Sequence, residues 1–364
     1  MISTNGENTI IVKNMRESEV VDRIRERLEG LLSDIPFLET GQPITQMYLE
    51  GARPDLLFEV MAGNRPLKII VEVKSVGEPR QVRYAIQQLR EYSTRIEDAY
   101  GVVAAPYISN DTARLCKENG VGYIDLAGNC FLNFNQVYIE QRNYPNPTVE
   151  KRQLRSLFTP RSSRVLRAML TNPRRPWQVQ QLAQEANVSL GLAFKIKERL
   201  LDLEYAREKN RNVFLNRPGE LLDKWADNYS FRRNRIYDYF GFEEPKEIER
   251  RLAGYCQERE IPYALALFSG AALVAPFARY TRGFAYVGKG IRELAESLEL
   301  KEVSSGPNFS MLEPYDEGAF YGSRRIEGLE VVCDVQLYLD LVGYKGRGEE
   351  SANFLLEQRI KPQW

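Results

Sequence analysis

Pro54-Asp-Leu-Leu-Phe-Glu-Val-Met-Ala-Gly-Asn-Arg-Pro-Leu-Lys-Ile-Ile-Val-Glu-Val-Lys74 holds two apolar runs separated by turn formers. The runs are Leu56 to Met61 and Leu67 to Val73, and Ala62-Gly63-Asn64-Arg65-Pro66 lies between them. Short β-branched and aromatic runs split by Gly, Asn and Pro predict two paired strands. Side chains alternate along a strand, so Glu72 and Lys74 share one face while Val71 and Val73 share the other. Asp55 stands at the head of the first strand, where pairing brings it close to Glu72.

Two carboxylates and one lysine on one face suit Mg²⁺ or Mn²⁺ and a phosphodiester. Hard Mg²⁺ takes oxygen ligands, and one or two carboxylates leave room for waters and a phosphate. The ion lowers the pKa of a bound water, and a nearby lysine orients that water and offsets charge on the transition state. Farther on, Gln87-Gln88-Leu89-Arg90-Glu91-Tyr92 supplies a Gln-x-x-x-Tyr, Gln88 and Tyr92. Pro54-Asp55, Glu72-Val73-Lys74 and this helix motif resemble the PD-(D/E)xK nuclease core, in its RecB-like branch. The resemblance implies Asp55 and Glu72 as metal ligands, Lys74 as the catalytic cation that orients the attacking water, and Gln88 and Tyr92 as residues that hold the site and the DNA. Each piece alone has an ordinary alternative: Glu-x-Lys as a solvated strand edge, Asp as turn chemistry. The ordered combination carries the reading, although nuclease folds are also kept as binding platforms without catalysis.

The chain has 364 residues, enough for two or three domains with their own cores. Hydrophobic residues make up 43% and charged residues 27%, as in globular proteins. Lys plus Arg and Asp plus Glu both number 50, so a nucleic-acid surface must come from local clustering. The N-terminus has no signal-like apolar core and no apolar run is long enough to span a bilayer, which predicts a cytoplasmic protein with no membrane partner. Histidine is absent, which excludes Ser-His-Asp and Cys-His catalysis and Cys/His zinc sites. Cys116, Cys130, Cys256 and Cys333 have no metal-ligand spacing and read as buried side chains.

Working outward, Glu17 to Leu32 has helical apolar spacing, with Glu19 and Glu26 on its polar face as a solvated surface or an added metal ligand. Ile44 to Leu49 is expected as a first strand, Glu78 to Ile96 as a helix, Tyr100 to Ala104 as a strand. Asn110 to Glu118 reads as a helix capped by Asn110 or Asp111. Asp125 to Asn129 reads as a tight turn rather than as part of the metal site. Residues 1–143 thus form an α/β (α+β), restriction-endonuclease-like domain.

Residues 144–240 begin with a Pro- and Arg-bearing linker, Asn143 to Pro160. Helices over Ser162–Leu170 and Trp177–Ala186 follow, then a turn at Asn187-Val188. A third helix runs from a Ser189 cap to Leu203, and Tyr205–Leu215 forms a basic hairpin. That order is a winged helix-turn-helix. Ser189, Leu192, Lys195 and Arg199 are the expected DNA contacts on the third helix, with Lys209 and Arg211 in the wing. From Lys151 to Arg175 the chain carries Lys151, Arg152, Arg155, Arg161, Arg164, Arg167, Arg174 and Arg175 without an acid, an expected electrostatic footprint for DNA. A protein-interaction role is the alternative for this domain.

Residues 241–364 read as a nucleotidyltransferase-like α/β domain, with a strand at Tyr263–Phe268 and a Ser269-Gly270 turn into a helix. Ile261 to Arg292 contains no Asp or Glu, so nucleotidyl transfer is not expected. Gly120-Val-Gly-Tyr-Ile-Asp-Leu-Ala-Gly-Asn129, Val188-Ser-Leu-Gly191, Ser269-Gly-Ala-Ala272 and Val335-Gln-Leu-Tyr-Leu-Asp-Leu341 together resemble the AbiEi-type family, over roughly Gly101 to Leu356. The resemblance implies a transcriptional regulator and antitoxin of a type IV toxin-antitoxin system, tied to phage defence. Its partners would be operator DNA and a cognate toxin, and a palindromic operator would imply a homodimer. Two functions remain open: a Mg²⁺-dependent nuclease targeted by a winged helix, or a non-catalytic regulator.

Overall fold

The computed structural model describes residues 17–45, 51, 53–62, 65–146 and 157–364. The chain divides into two compact units, Met1–Lys151 and Arg152–Trp364.

The first unit runs α1 (Glu17–Ser33), β1 (Leu38–Thr40), β2 (Ile44–Thr45), β3 (Leu56–Ala62), β4 (Arg65–Val73), α2 (Pro79–Ser93), β5 (Ala99–Ala105), α3 (Asn110–Glu118), β6 (Gly122–Asp125), β7 (Cys130–Phe134) and β8 (Val137–Gln141). The sheet order is β1-β3-β4-β5-β6-β7-β8, with β2 beside β3. The hairpin expected from the Pro54–Lys74 stretch is present, Leu56 pairing with Val71 and Ala62 with Arg65. Gly63 and Asn64 at its tip lie outside the described residues. β4 then continues parallel to β5, and β5 to β6.

The period-two pattern decides which helix covers which face. Leu56, Phe58, Val71, Val73, Val102 and Ala104 join Val20, Ile24, Leu28 and Leu32 of α1. Leu57, Ile70, Val103 and Ala105 join Val82, Ala85, Ile86 and Leu89 of α2. Burying one such aliphatic side chain contributes roughly 1.5–3 kcal/mol, so each helix is held by its stripe rather than by helix propensity.

Three expectations need adjustment. β1 at Leu38–Thr40 precedes the strand expected at Ile44, which spans Ile44–Thr45, while residues 46–50 lie outside the described residues. The cap of α3 is Ser109, whose hydroxyl accepts the Thr112 amide, one residue before the expected Asn110 or Asp111. α2 ends at Ser93, three residues before the expected Ile96.

The second unit runs α4 (Pro160–Thr171), α5 (Val179–Glu185), α6 (Leu190–Asp202), β9 (Ala206–Lys209), β10 (Asn212–Leu215) and α7 (Pro218–Asn228). It continues with β11 (Arg235–Phe240), α8 (Pro245–Glu258), β12 (Tyr263–Leu265), α9 (Leu267–Val274), β13 (Gly283–Val287) and α10 (Ile291–Ser297). The remaining elements are β14 (Lys301–Glu302), β15 (Phe309–Glu313), β16 (Arg324–Ile326), β17 (Leu329–Val331), α11 (Asp334–Val342) and α12 (Gly348–Leu355). The first five elements are the expected winged helix-turn-helix, with a refinement at Trp177. Instead of opening a helix, Trp177 exchanges backbone hydrogen bonds with Val213 at 2.9 and 2.8 Å and adds a third rung to the wing. The mixed sheet beyond it has the order β14-β11-β15-β13-β12-β17-β16. Leu166, Met169 and Trp177 belong to the same hydrophobic core as Leu265, Phe284 and Leu337, so winged helix and C-terminal sheet stabilise one another. All four cysteines are buried thiols.

Candidate nuclease-like site and DNA interface

Glu72 lies on the α2 side of β4 and is 3% exposed, with Val71 and Val73 packed on the α1 side. Its neighbours explain how a carboxylate stands there. The Lys74 ammonium donates to Glu72 Oε2 at 3.0 Å and to Gln88 Oε1 at 2.9 Å. Tyr92, one helical turn after Gln88, hydrogen-bonds Glu72 through its hydroxyl. Asp55 accepts the Val73 amide on Oδ2 at 2.8 Å, which ties the start of β3 to the end of β4. The loop before Asp55 is pinned by the C-terminal end of α2, where Tyr92 reaches the Arg53 carbonyl at 3.4 Å and Arg95 the Gly51 carbonyl at 2.8 Å. All five residues expected from the sequence therefore meet.

The electrostatics follow from burial. Desolvation, then the neighbouring Asp55 charge, push the Glu72 carboxyl above its ordinary value, against the pull of Lys74 and Tyr92. Burial and Glu72 push the Tyr92 hydroxyl up to about 12, so it stays a proton donor. The neighbouring carboxylates of Asp55 and Glu72 outnumber the single Lys74 ammonium, an excess of negative charge that a divalent cation would offset. Asp55 and Glu72 supply the hard oxygen donors Mg²⁺ or Mn²⁺ requires, so the residues fit such an ion. Among the described residues no group of three or more His, Cys, Asp or Glu side chains forms a fuller cage. Glu19 and Glu26 do not add to the pair: both are exposed on α1, which covers the opposite face of the sheet from Glu72.

Tyr84 escaped the sequence reading. Its ring centroid is 5.6 Å from the Lys74 ammonium and it is exposed. The available signal was spacing, since Tyr84, Gln88 and Tyr92 recur every four residues on one helix face. Asp125 is the turn residue the sequence suggested. Oδ1 accepts the amides of Ala127, Gly128 and Asn129, and Oδ2 accepts the Ile108 amide and the Asn129 side chain.

In the winged helix, Ser189 caps α6, accepting the Leu192 amide at 3.3 Å. Leu192 is half-buried against the core. Arg199 is half-buried, with its pKa lowered by burial and Asp202 and Tyr205 as its electrostatic neighbours. Lys195 is exposed, as are Lys209 and Arg211 at the wing. Asn210 and Arg211 both take positive φ, 52° and 64°, the requirement of a two-residue type I′ hairpin. Of the basic run from Lys151 to Arg175, Arg161 is exposed and four further arginines have partners within the protein. Arg164 is bound by Asp316 at 2.8 Å, and Arg167 is buried against Gln336 at 2.7 Å and over the Trp225 ring. Arg174 donates to the Trp364 carbonyl, and Arg175 pairs with Glu185 and stacks on Trp177. These four arginines hold the second unit together; Lys151, Arg152 and Arg155 lie outside the described residues. Among the described residues no helix is long and apolar enough to cross a membrane.

Compared with known proteins, the chain matches none of the curated ones. Among solved structures it is similar to EndoMS in apo form, with 17% identity over 31% of this chain and 47% of that one, at a TM-score of 0.23. A complex of EndoMS with double-stranded DNA gives 18% identity over 34% of this chain and 48% of that one, at a TM-score of 0.22. A repair endonuclease from Pyrococcus abyssi gives 16% identity over 31% and 49%, at 0.20. The chain thus spans about half the length of these structures. The motifs at Ser269–Ala272 and Val335–Leu341 fall inside a family match that begins within β10, the last strand of the wing. Residues 214–361 match the model of the family described as transcriptional regulator, AbiEi antitoxin, type IV TA system, so this C-terminal part of the chain is similar to that family.

Proposed function

We propose that the protein binds DNA through its winged helix and cleaves phosphodiester bonds at the Asp55–Glu72–Lys74 site with Mg²⁺ or Mn²⁺. The observation that carries this reading is the Lys74 ammonium held between Glu72 at 3.0 Å and Gln88 at 2.9 Å, beside a second carboxylate. A structural salt bridge at a strand edge needs no buried glutamate and no glutamine aimed from a neighbouring helix. Asp55 and Glu72 would hold the ion, which when bound polarises the phosphoryl oxygen and acidifies water. Lys74 orients the attacking water and offsets charge on the phosphate. Gln88 fixes the Lys74 rotamer, and Tyr92 beside Glu72 opposes the rise that burial imposes on its carboxyl.

The test is nicking of plasmid and linear DNA with Mg²⁺ or Mn²⁺. Glu72→Ala and Lys74→Ala should each lower the rate by two orders of magnitude or more, on the scale of losing a group that stabilises the transition state, while DNA binding persists. No cleavage by the unaltered protein on duplex, single-stranded or branched DNA refutes the catalytic reading.

The family match over residues 214–361 favours a second reading, a non-catalytic repressor and antitoxin with a cognate toxin as partner. Under it Lys74→Ala leaves every activity unchanged, and a change at Lys195 lowers operator affinity.

A further inference from the structure

We infer that the winged helix recognises duplex DNA by apolar contact with thymine methyl groups, through Leu190 and Phe194. The inference rests on the DNA-binding reading and deepens it.

The polar residues of α6 are largely committed within the protein. Ser189 is spent on the cap, and Lys197 is buried between Glu198 at 2.7 Å and Glu208 of the wing at 3.1 Å. What the N-terminal half of the helix presents outward is Leu190, Gly191, Phe194 and Lys195, all exposed. Leu190 is 56% and Phe194 51% exposed, and at i and i+4 they form one stripe. N-terminal residues of a recognition helix are the ones that meet base edges. In the major groove the thymine C5 methyl is the one apolar feature, and apolar side chains read it.

Two further observations favour DNA over a protein partner. Lys195 is exposed beside the stripe on α6, and Arg207, Lys209 and Arg211 of the wing are exposed as well. Glu198 of the same helix and Glu208 of the wing both pair with Lys197. An apolar strip with exposed basic side chains on its own helix and on the wing matches a groove lined by phosphates. Gly191 adds a steric argument. A Cβ there would meet no atom within 4 Å, so packing does not demand glycine at a helical position where glycine is unfavourable. Its bare backbone permits close approach of the groove.

The experiment uses the full chain and a random-sequence duplex pool, from which bound duplexes are recovered and their thymines replaced singly by deoxyuridine. Loss of one methyl should weaken binding about 3- to 30-fold at one or more positions. Leu190→Ala or Phe194→Ala should bind more weakly and no longer distinguish thymine from deoxyuridine at those positions. Both sites are exposed, so the unfolding midpoint should not move. Paired Lys209→Ala and Arg211→Ala changes should weaken both duplexes equally and lessen the salt dependence. Equal affinity for thymine and deoxyuridine at every position, with sequence-selective binding intact, overturns the methyl contact alone. Failure to recover any duplex overturns the DNA-binding reading with it. Unchanged DNA binding by Phe194→Ala with lost self-association would assign the stripe to protein contact instead.

Discussion

Asp340 offers the sharpest test of how the second unit is held together. It is fully buried on α11, and three donors converge on its Oδ1: Tyr229 at 2.6 Å, Tyr286 at 3.0 Å and Gln336 at 2.9 Å. Oδ2 has no hydrogen-bond partner among the described residues. Arg167 is the charged group nearby, and its guanidinium is engaged with Gln336 and the Trp225 ring. Burial outweighs these contacts and raises the carboxyl from 3.8 to about 7. A carboxyl raised in the folded state binds more protons there than in the unfolded chain. Its stabilising contribution is therefore complete below about pH 4 and is lost as pH rises through about 7. The displacement from 3.8 to about 7 corresponds to roughly 4 kcal/mol in all, of which about 2–3 kcal/mol falls between pH 5 and pH 8. Asp340→Asn keeps the Oδ1 acceptor and resembles the protonated acid at every pH. Trp177, Trp225 and Trp364, the three tryptophans of the chain, all lie in this unit. Urea unfolding followed by tryptophan fluorescence thus reports on it selectively. The stability of Asp340→Asn minus that of the unaltered protein should rise by about 2–3 kcal/mol from pH 5 to pH 8 and then level. A flat or falling difference would refute the assignment of a neutral buried carboxyl.

The remaining expectations concern both units. The cleavage assay with Glu72→Ala and Lys74→Ala separates the catalytic site from a binding platform, and the deoxyuridine series locates base contact on α6. Asp125→Ala strips the acceptor from four backbone amides, three of them in buried pairings, and should cost roughly 3 kcal/mol or more. Hydrogen exchange at Ile108, Ala127, Gly128 and Asn129 should then accelerate, and unchanged protection would show the carboxylate to be dispensable. A Cβ on Gly77 would collide with the Tyr107 carbonyl oxygen, so Gly77→Ala should cost roughly 1–3 kcal/mol and displace α2, with Gln88, from Lys74. Wild-type melting and nicking rates in that variant would contradict the tight approach.

Local chemistry made most of the first unit legible. A turn-bearing stretch flanked by alternating apolar runs has one economical solution, a hairpin, and its alternation already placed Glu72 and Lys74 opposite Val71 and Val73. The i, i+4 spacing of Gln88 and Tyr92 likewise placed both on one face of α2. The winged helix was readable for the same reason, since its helices, turn and wing are adjacent in sequence. The packing of the long-range partners was not readable. An arginine-rich, acid-free stretch looks like a phosphate-binding surface until Asp316, Gln336 and Trp364, more than a hundred residues away, take up Arg164, Arg167 and Arg174. The same holds for α6, where Ser189 caps the helix, Lys197 turns inward, and Leu190 and Phe194 are left outside. Hydrophobic period and turn chemistry are properties of neighbouring residues. Whether a charge meets solvent or an internal partner depends on which distant segments pack around it, and only the tertiary structure decides that.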